Sequence, residues 1–248
     1  MPGANSSSFV GDLVAFCTQS TIGREPSHGV EHMSKVRENS ECIFDAMVAS
    51  DPQLFTPHVR KMVQAVAQFH DIADHKYVAD PGSCGIQEEL SKYFSEQESA
   101  VLMKAIDAVS YSKELKLRKA TETPCEPVDF VELLQQGDHF ALVRDIVSDA
   151  DKLEAIGSIG VQRCIAYTKE AALKKSGTEP PPEIILQHLV EHGEEKLFIL
   201  YAHRYIRTSA GRKLAEPLQQ VMLDEVAVML GEDTQTAFRL QQQYGIQG

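Results

Sequence analysis

Residues 55–77 read FTPHVRKMVQAVAQFHDIADHKY. Val59, Met62, Val63, Val66 and Ala67 fall at i, i+3, i+4, i+7 and i+8, the period of a helix with one apolar face. Pro57 stands where a first helical turn accepts proline, since the amide hydrogen it lacks has no intrahelical acceptor there. The same face reaches His70 at i+11, so the spacing turns an imidazole inward, with Asp71 beside it. Polar atoms taken out of water need partners. A metal ion would be one such partner for His70; the hydrogen bonds of an ordinary core histidine would be the other.

Helical periods recur on both sides of this stretch, with hardly any strand alternation. The pattern predicts helices over about 28–49, 86–97, 98–110, 127–135, 140–155, 157–173, 183–207 with an internal break, and 210–231. Asp80-Pro81-Gly82 and Thr123-Pro124 punctuate the series. The run over 174–182, KKSGTEPPP, has the composition of an exposed linker or of a lid over a site. Residues 1–8, MPGANSSS, read as a mobile tail. The expectation is an all-α fold, with residues 9–248 forming a single helical domain that ends in a helical extension.

Composition bounds what such a protein can do. A chain of 248 residues, 43% apolar and 24% charged, can build a full core, burying roughly 70–75% of its unfolded surface. Thirty-six acidic against 24 basic residues give a formal net charge of −12, which argues against coating duplex nucleic acid or a membrane surface. A small anionic substrate is still compatible, because a metal ion can dominate the field at one site. Cys17, Cys42, Cys84, Cys125 and Cys164 are odd in number and lack C-x-x-C spacing, so neither a disulfide framework nor a thiolate zinc site is suggested. No stretch has the apolar length of a bilayer span, and Met1 to Ser8 lacks the features of a signal peptide. The expected location is cytoplasmic.

Two more stretches hold chemistry-bearing side chains. In HGVEH, His28 and His32 are four apart and share a helix face, as a metal-binding pair or a capping and surface pair would. In IVSDADKLEAIGSIG, residues 146–160, Asp149 and Asp151 interrupt an apolar helix. Periodicity does not choose between them, and each is costly to bury unless paired, with Lys152 or Arg144, or metal-bound.

His32, then His70-Asp71, then an aspartate some eighty residues on make the ordered pattern H…HD…D, which resembles the HD-domain superfamily of metal-dependent phosphohydrolases. SHGVEHMSKV, FHDIADHKY, VSYSKE, VSDADKLEAIGSIGVQRCIAY, HGEEKL and TSAGRKLAE together resemble its YpgQ/YedJ-like bacterial branch, over nearly the whole chain after residue 24. Two positions depart: Gly29 stands where the branch has Asp, and Pro217-Leu218-Gln219 where its last helix carries an Arg.

The resemblance implies His32, His70, Asp71 and Asp151 as ligands of one divalent transition metal, Asp151 through the phrase Ile-Val-x-x-Ala-Asp. Two imidazoles and two carboxylates suit Mn²⁺ first, with Fe²⁺, Co²⁺, Ni²⁺ or Zn²⁺ also fitting and Mg²⁺ the poorer match. It further implies Asp74 as general acid or base, with Lys76 neutralising phosphate charge and His75 as a further donor. His28 would serve the pocket mouth or bind substrate, and His192, Arg207 and Arg212 would meet a phosphate chain. The activity implied is hydrolysis of a (deoxy)nucleoside triphosphate to monophosphate and pyrophosphate. Alternatives are a nucleoside monophosphate phosphatase, a cyclic-nucleotide phosphodiesterase and a non-enzymatic nucleotide sensor. The partner expected is a small nucleotide, with a homodimer left open. An HD-type di-iron oxygenase needs two more histidines between the HD pair and the last Asp, an interval that here offers only His75 and His139.

Overall fold

The structure is a computed structural model. It describes residues 6–25, 28–49, 52–74, 77–78, 81–121 and 130–246, and the side chains of these except at 6–8, 81, 83, 120 and 121. The described residues form helices and turns with no strand, as the periodicity predicts. They fall into two compact units, residues 1–150 and 151–248.

The first unit is built on α1 (Ser6–Ser20), α2 (Val30–Val48) and α3 (Pro57–Phe69). Short α4 (Ile86–Leu90), α5 (Glu96–Ala108), α6 (Tyr111–Thr121), α7 (Phe130–Gln135) and most of α8 (Phe140–Leu153) complete it. α3 is the central element, packing on α1, α2 and α5. Thr56 caps its N-terminus by accepting the Val59 amide, Pro57 fills the first turn, and all five residues of the expected apolar face are buried. Aromatic edges fill the space around it: Phe16 meets Phe69 with ring centroids 5.3 Å apart, and Phe44 meets Phe55 at 5.4 Å.

Between α2 and α3 the buried amide of Gln68 accepts from Arg37 Nε at 3.2 Å and donates to Ser34 Oγ at 3.4 Å. α5 begins with a capping box in which Ser95 and Glu98 satisfy each other's backbone amides. α8 is buried over most of its surface, with Phe140, Arg144 and Asp151 half-buried. Leu142, Val143, Ile146, Val147 and Ala150 are enclosed there, and so are Asp145, Ser148, Asp149 and Lys152.

The second unit comprises α9 (Gly157–Ser176), α10 (Pro182–His192), a π-helical turn at Gly193–Leu197, α11 (Ile199–Ala202), α12 (Ser209–Leu230) and α13 (Thr234–Tyr244). Gly157 opens α9 at φ 73, a left-handed conformation that suits glycine, and a Cβ there would meet the Leu218 side chain at 3.2 Å. Gln219, fully buried on α12, donates Nε2 to the carbonyls of Phe198 and Tyr244 at 3.0 Å each, tying α11 and α13 to one side chain.

Several boundaries differ from the sequence reading. The expected tail is interrupted by α1, which starts at Ser6, and α9 runs on to Ser176, so the connection to α10 shortens to 177–181. The helix expected over 86–97 stops at Leu90, and α1, α6 and α13 were not anticipated. The four described cysteines, Cys17, Cys42, Cys84 and Cys164, are free thiols; Cys125 lies outside the described residues. Among the described residues no helix is long and apolar enough to cross a membrane.

Candidate functional site

α2 and the C-terminus of α3 bring His32, His70 and Asp71 together. His32 lies in the first turn of α2, and His70 terminates α3 in helical conformation, so Asp71 begins the turn that follows. One ligand atom from each of the three lies within 4.8 Å of the others. Nε2 of His70 faces Asp71 Oδ1 at 3.6 Å, Nε2 of His32 faces Asp71 Oδ2 at 3.8 Å, and the two imidazole centroids are 5.4 Å apart.

The local backbone decides which nitrogen His70 can offer. Its Nδ1 lies 2.8 Å from the carbonyl of Ala67, which can only accept, so Nδ1 carries the hydrogen and the lone pair is left on Nε2. The side chain of His70 is only 2% exposed, whereas that of Asp71 is 20% exposed, so the carboxylate is the more open of these two groups.

A second group shares Asp71. His28, Asp71 and Asp74 also bring one ligand atom each within 4.8 Å, with His28 Nδ1 at 3.2 Å from Asp71 Oδ2. Burial of Asp71 opposes its ionisation, but adjacent His70, the hydrogen bond from His28 and the charges of His32 and His28 outweigh it and hold the carboxyl well below the usual carboxylate range. An aspartate kept anionic among three imidazoles has the chemistry of a ligand.

The other expected residues are distributed as follows. Asp74 is half-buried one turn beyond Asp71, its amide donating to the Asp71 carbonyl at 3.1 Å. His75 and Lys76 lie outside the described residues. Asp149 is fully enclosed on α8, whereas Asp151, first residue of the second unit, is half-buried. In that unit His192 stacks on His188 with ring centroids 6.1 Å apart, while His188 Nδ1 meets Thr168 Oγ1 at 2.8 Å. Burial pushes the His192 imidazole below its usual pKa, and Lys196 and His188 act the same way. Arg207 is half-buried. Arg212 directs Nη1 to the carbonyls of Tyr201 at 3.0 Å and Ile206 at 3.4 Å, and its guanidinium covers the Tyr201 ring at 4.2 Å, so this arginine holds the turn before α12.

Three residues escaped the sequence reading, two of them beside the cluster. Arg24 donates to the carbonyls of Asp71 and Ile72. Tyr77 sets its ring against His28 at 5.7 Å. Asp145, enclosed on α8, receives Arg144 Nε at 2.5 Å, which occupies the arginine considered for the DAD carboxylates. Nothing in the sequence signals them, since Arg24 precedes α2 and shares no helix face with His28.

No family model matches the chain, and no curated protein matches it. Solved structures do. Bacillus subtilis YpgQ in complex with ADP is 16% identical with a TM-score of 0.57, the match covering 90% of this chain and 94% of that one. A Lactobacillus plantarum protein is 19% identical at TM-score 0.59, over 94% of this chain and all (100%) of the other. The Lin1889 protein of Listeria innocua is 17% identical at TM-score 0.56, over 94% and 98%. The chain therefore shares an all-helical fold with YpgQ along nearly its whole length.

Proposed function

We propose that the protein is a metal-dependent phosphohydrolase of the HD type acting on nucleotides, releasing pyrophosphate from a (deoxy)nucleoside triphosphate to leave the monophosphate. The observation that carries the reading is the cluster of His32, His70 and Asp71, with the tautomer of His70 set by the Ala67 carbonyl. That donor set of two imidazole nitrogens and a carboxylate fits a divalent transition metal, Mn²⁺ first. Crystallisation of the structurally similar YpgQ with ADP supports a nucleotide as the ligand.

His32 and His70 would hold the ion through Nε2 and Asp71 through its carboxylate, with Asp151 as the fourth ligand. Asp151 is preferred to Asp149 through the phrase Ile-Val-x-x-Ala-Asp that ends in it. Bound there, a divalent ion supplies Lewis-acid polarisation of a phosphoryl oxygen and lowers the pKa of an attacking water. Asp74 would accept or return the proton at its carboxylate oxygen. His28, with its ring on Asp71, would meet substrate at the mouth, and Lys76 and His75, next after Asp74 in the sequence, would offset charge on the phosphate. His192 and Arg207 are the further candidates for a phosphate chain, and Arg212 would join them through donors other than the Nη1 that holds the turn.

The test incubates the protein and Mn²⁺ with nucleoside mono-, di- and triphosphates, measuring phosphate and pyrophosphate separately. Pyrophosphate from triphosphates is expected. Phosphate from monophosphates instead would make the protein a nucleotidase, and no turnover with any divalent metal would leave a nucleotide sensor.

A further inference from the structure

The turn that carries Asp71 is held by residues outside the donor set. α3 ends at Phe69, and carbonyls at and beyond a helix end need donors from elsewhere. The Asp74 amide supplies one to the Asp71 carbonyl, and Arg24, in the connection between α1 and α2, adds Nη1 at 2.7 Å to the same carbonyl and Nη2 at 2.6 Å to that of Ile72. Two bonds from one planar guanidinium fix the orientation of consecutive peptide groups as well as their position. The face of Tyr77 packs on this guanidinium at 4.8 Å, and Tyr77 in turn meets the His28 ring at 5.7 Å. His28 Nδ1 closes the circuit on Asp71 Oδ2 at 3.2 Å. Asp71 is thus gripped through its backbone by Arg24 and through its carboxylate by His28, and Tyr77 couples the two grips.

We infer that Arg24 is a positioning residue for Asp71, holding the carboxylate in the one orientation in which it can share a divalent cation with His32 and His70. This rests on the metal-centre reading above. A carboxylate at the start of a turn can swing with its peptide planes, and a swinging ligand must be ordered each time an ion binds. Arg24 has ordered it beforehand. The same arginine borders a cleft of about 280 Å³ with Ser20, Ile72, Val78 and Cys84, so direct contact with substrate is the competing role.

The experiment measures Mn²⁺ affinity of the full chain by electron paramagnetic resonance of the free ion, with melting of the metal-free protein by circular dichroism beside it. For Arg24→Met the Kd should weaken about ten-fold, the lower end of what loss of an outer partner of a ligand costs. Arg24→Lys should restore the melting temperature further than it restores Mn²⁺ affinity, because an ammonium keeps the charge but cannot fork two carbonyls. Tyr77→Leu, which cuts the link to His28, should weaken Kd by about three-fold, a fraction of the same outer-shell effect. Should Arg24→Met fail to fold, Arg24→Lys and Tyr77→Leu carry the test together. Arg24→Met binding Mn²⁺ within two-fold of the original protein would overturn the inference, as would a raised KM for nucleotide with Kd for Mn²⁺ unchanged. A distinct failure, in which the original protein and His70→Ala bind Mn²⁺ equally, would overturn the metal-centre reading itself.

Discussion

At the scale of single residues, the His70-Asp71 pair joins a structural constraint to a chemical one. His70 is enclosed because it completes the apolar face of α3, and its Nδ1 bond to Ala67 leaves a single nitrogen for an ion. His70→Ala or Asp71→Ala should therefore abolish metal binding and turnover while the helical circular dichroism stays, since neither side chain carries the core; a variant with full activity would remove both residues from the site. The two nearby aspartates divide by burial. Asp151→Asn should weaken metal affinity strongly, because an amide cannot neutralise a divalent charge, whereas Asp149→Asn should act mainly on stability by disturbing an enclosed polar group. A metal titration and a urea melt on each variant separate these effects, and the reverse ranking would make Asp149 the ligand. The meeting of His32 with His70-Asp71 was legible through the H…HD…D order, whereas HGVEH misplaced its helix start, since α2 begins at Val30 and His28 precedes it. Arg24 and Tyr77 were not, because an arginine that donates to main-chain carbonyls leaves no mark in the sequence of its acceptors.

The two helices that segregate apolar from polar residues most strongly were readable for that reason. α3 and α8 carry long apolar faces and lie close to where the periodicity places them, whereas α6, with LKLRK and little apolar contrast, shows no face to read. The stretch 86–97 looked continuous because no proline interrupts it, yet Ser95 is built to start a helix and not to continue one. There its hydroxyl caps the Glu98 amide, and Glu98 returns the bond to the Ser95 amide while also meeting His58 on α3 at 2.6 Å. The backbone and side-chain bonds from Ser95, followed by His58, draw the Glu98 pKa from 4.5 down to about 2. A carboxyl whose folded pKa is depressed adds stability that is whole above its unfolded value and fades as pH falls through the folded one. For Glu98 that window runs from 4.5 down to about 2. Glu98→Gln should thus cost about 1 kcal/mol at pH 7, the usual scale of a helix cap, and the gap between variant and original should narrow in urea melts at pH 3. A gap of equal size at both pH values would show that the charge of Glu98 does not support α5.

On the scale of the whole molecule, a formal net charge of −12 repels a polyanionic nucleotide, so productive binding depends on local cations that outweigh the global field. A bound divalent ion would supply that charge without being needed to build the fold, because extensive apolar cores are buried in both units. Removing metal with a chelator should accordingly leave the helical signal intact, unlike a small metal-folded domain, which unfolds without its ion. Metal that binds only the folded state stabilises it by mass action, by about 2.7 kcal/mol at a free concentration one hundred times Kd. For a chain of this size each 1 kcal/mol moves the midpoint by about 2–4 °C, so saturating Mn²⁺ should raise a melting transition by roughly 5–10 °C. Two compact units need not melt together, so the shift is to be read on each resolved transition. His70→Ala should abolish it. An equal shift in that variant would put the ion elsewhere, and collapse of the helical signal on chelation would make the metal part of the fold.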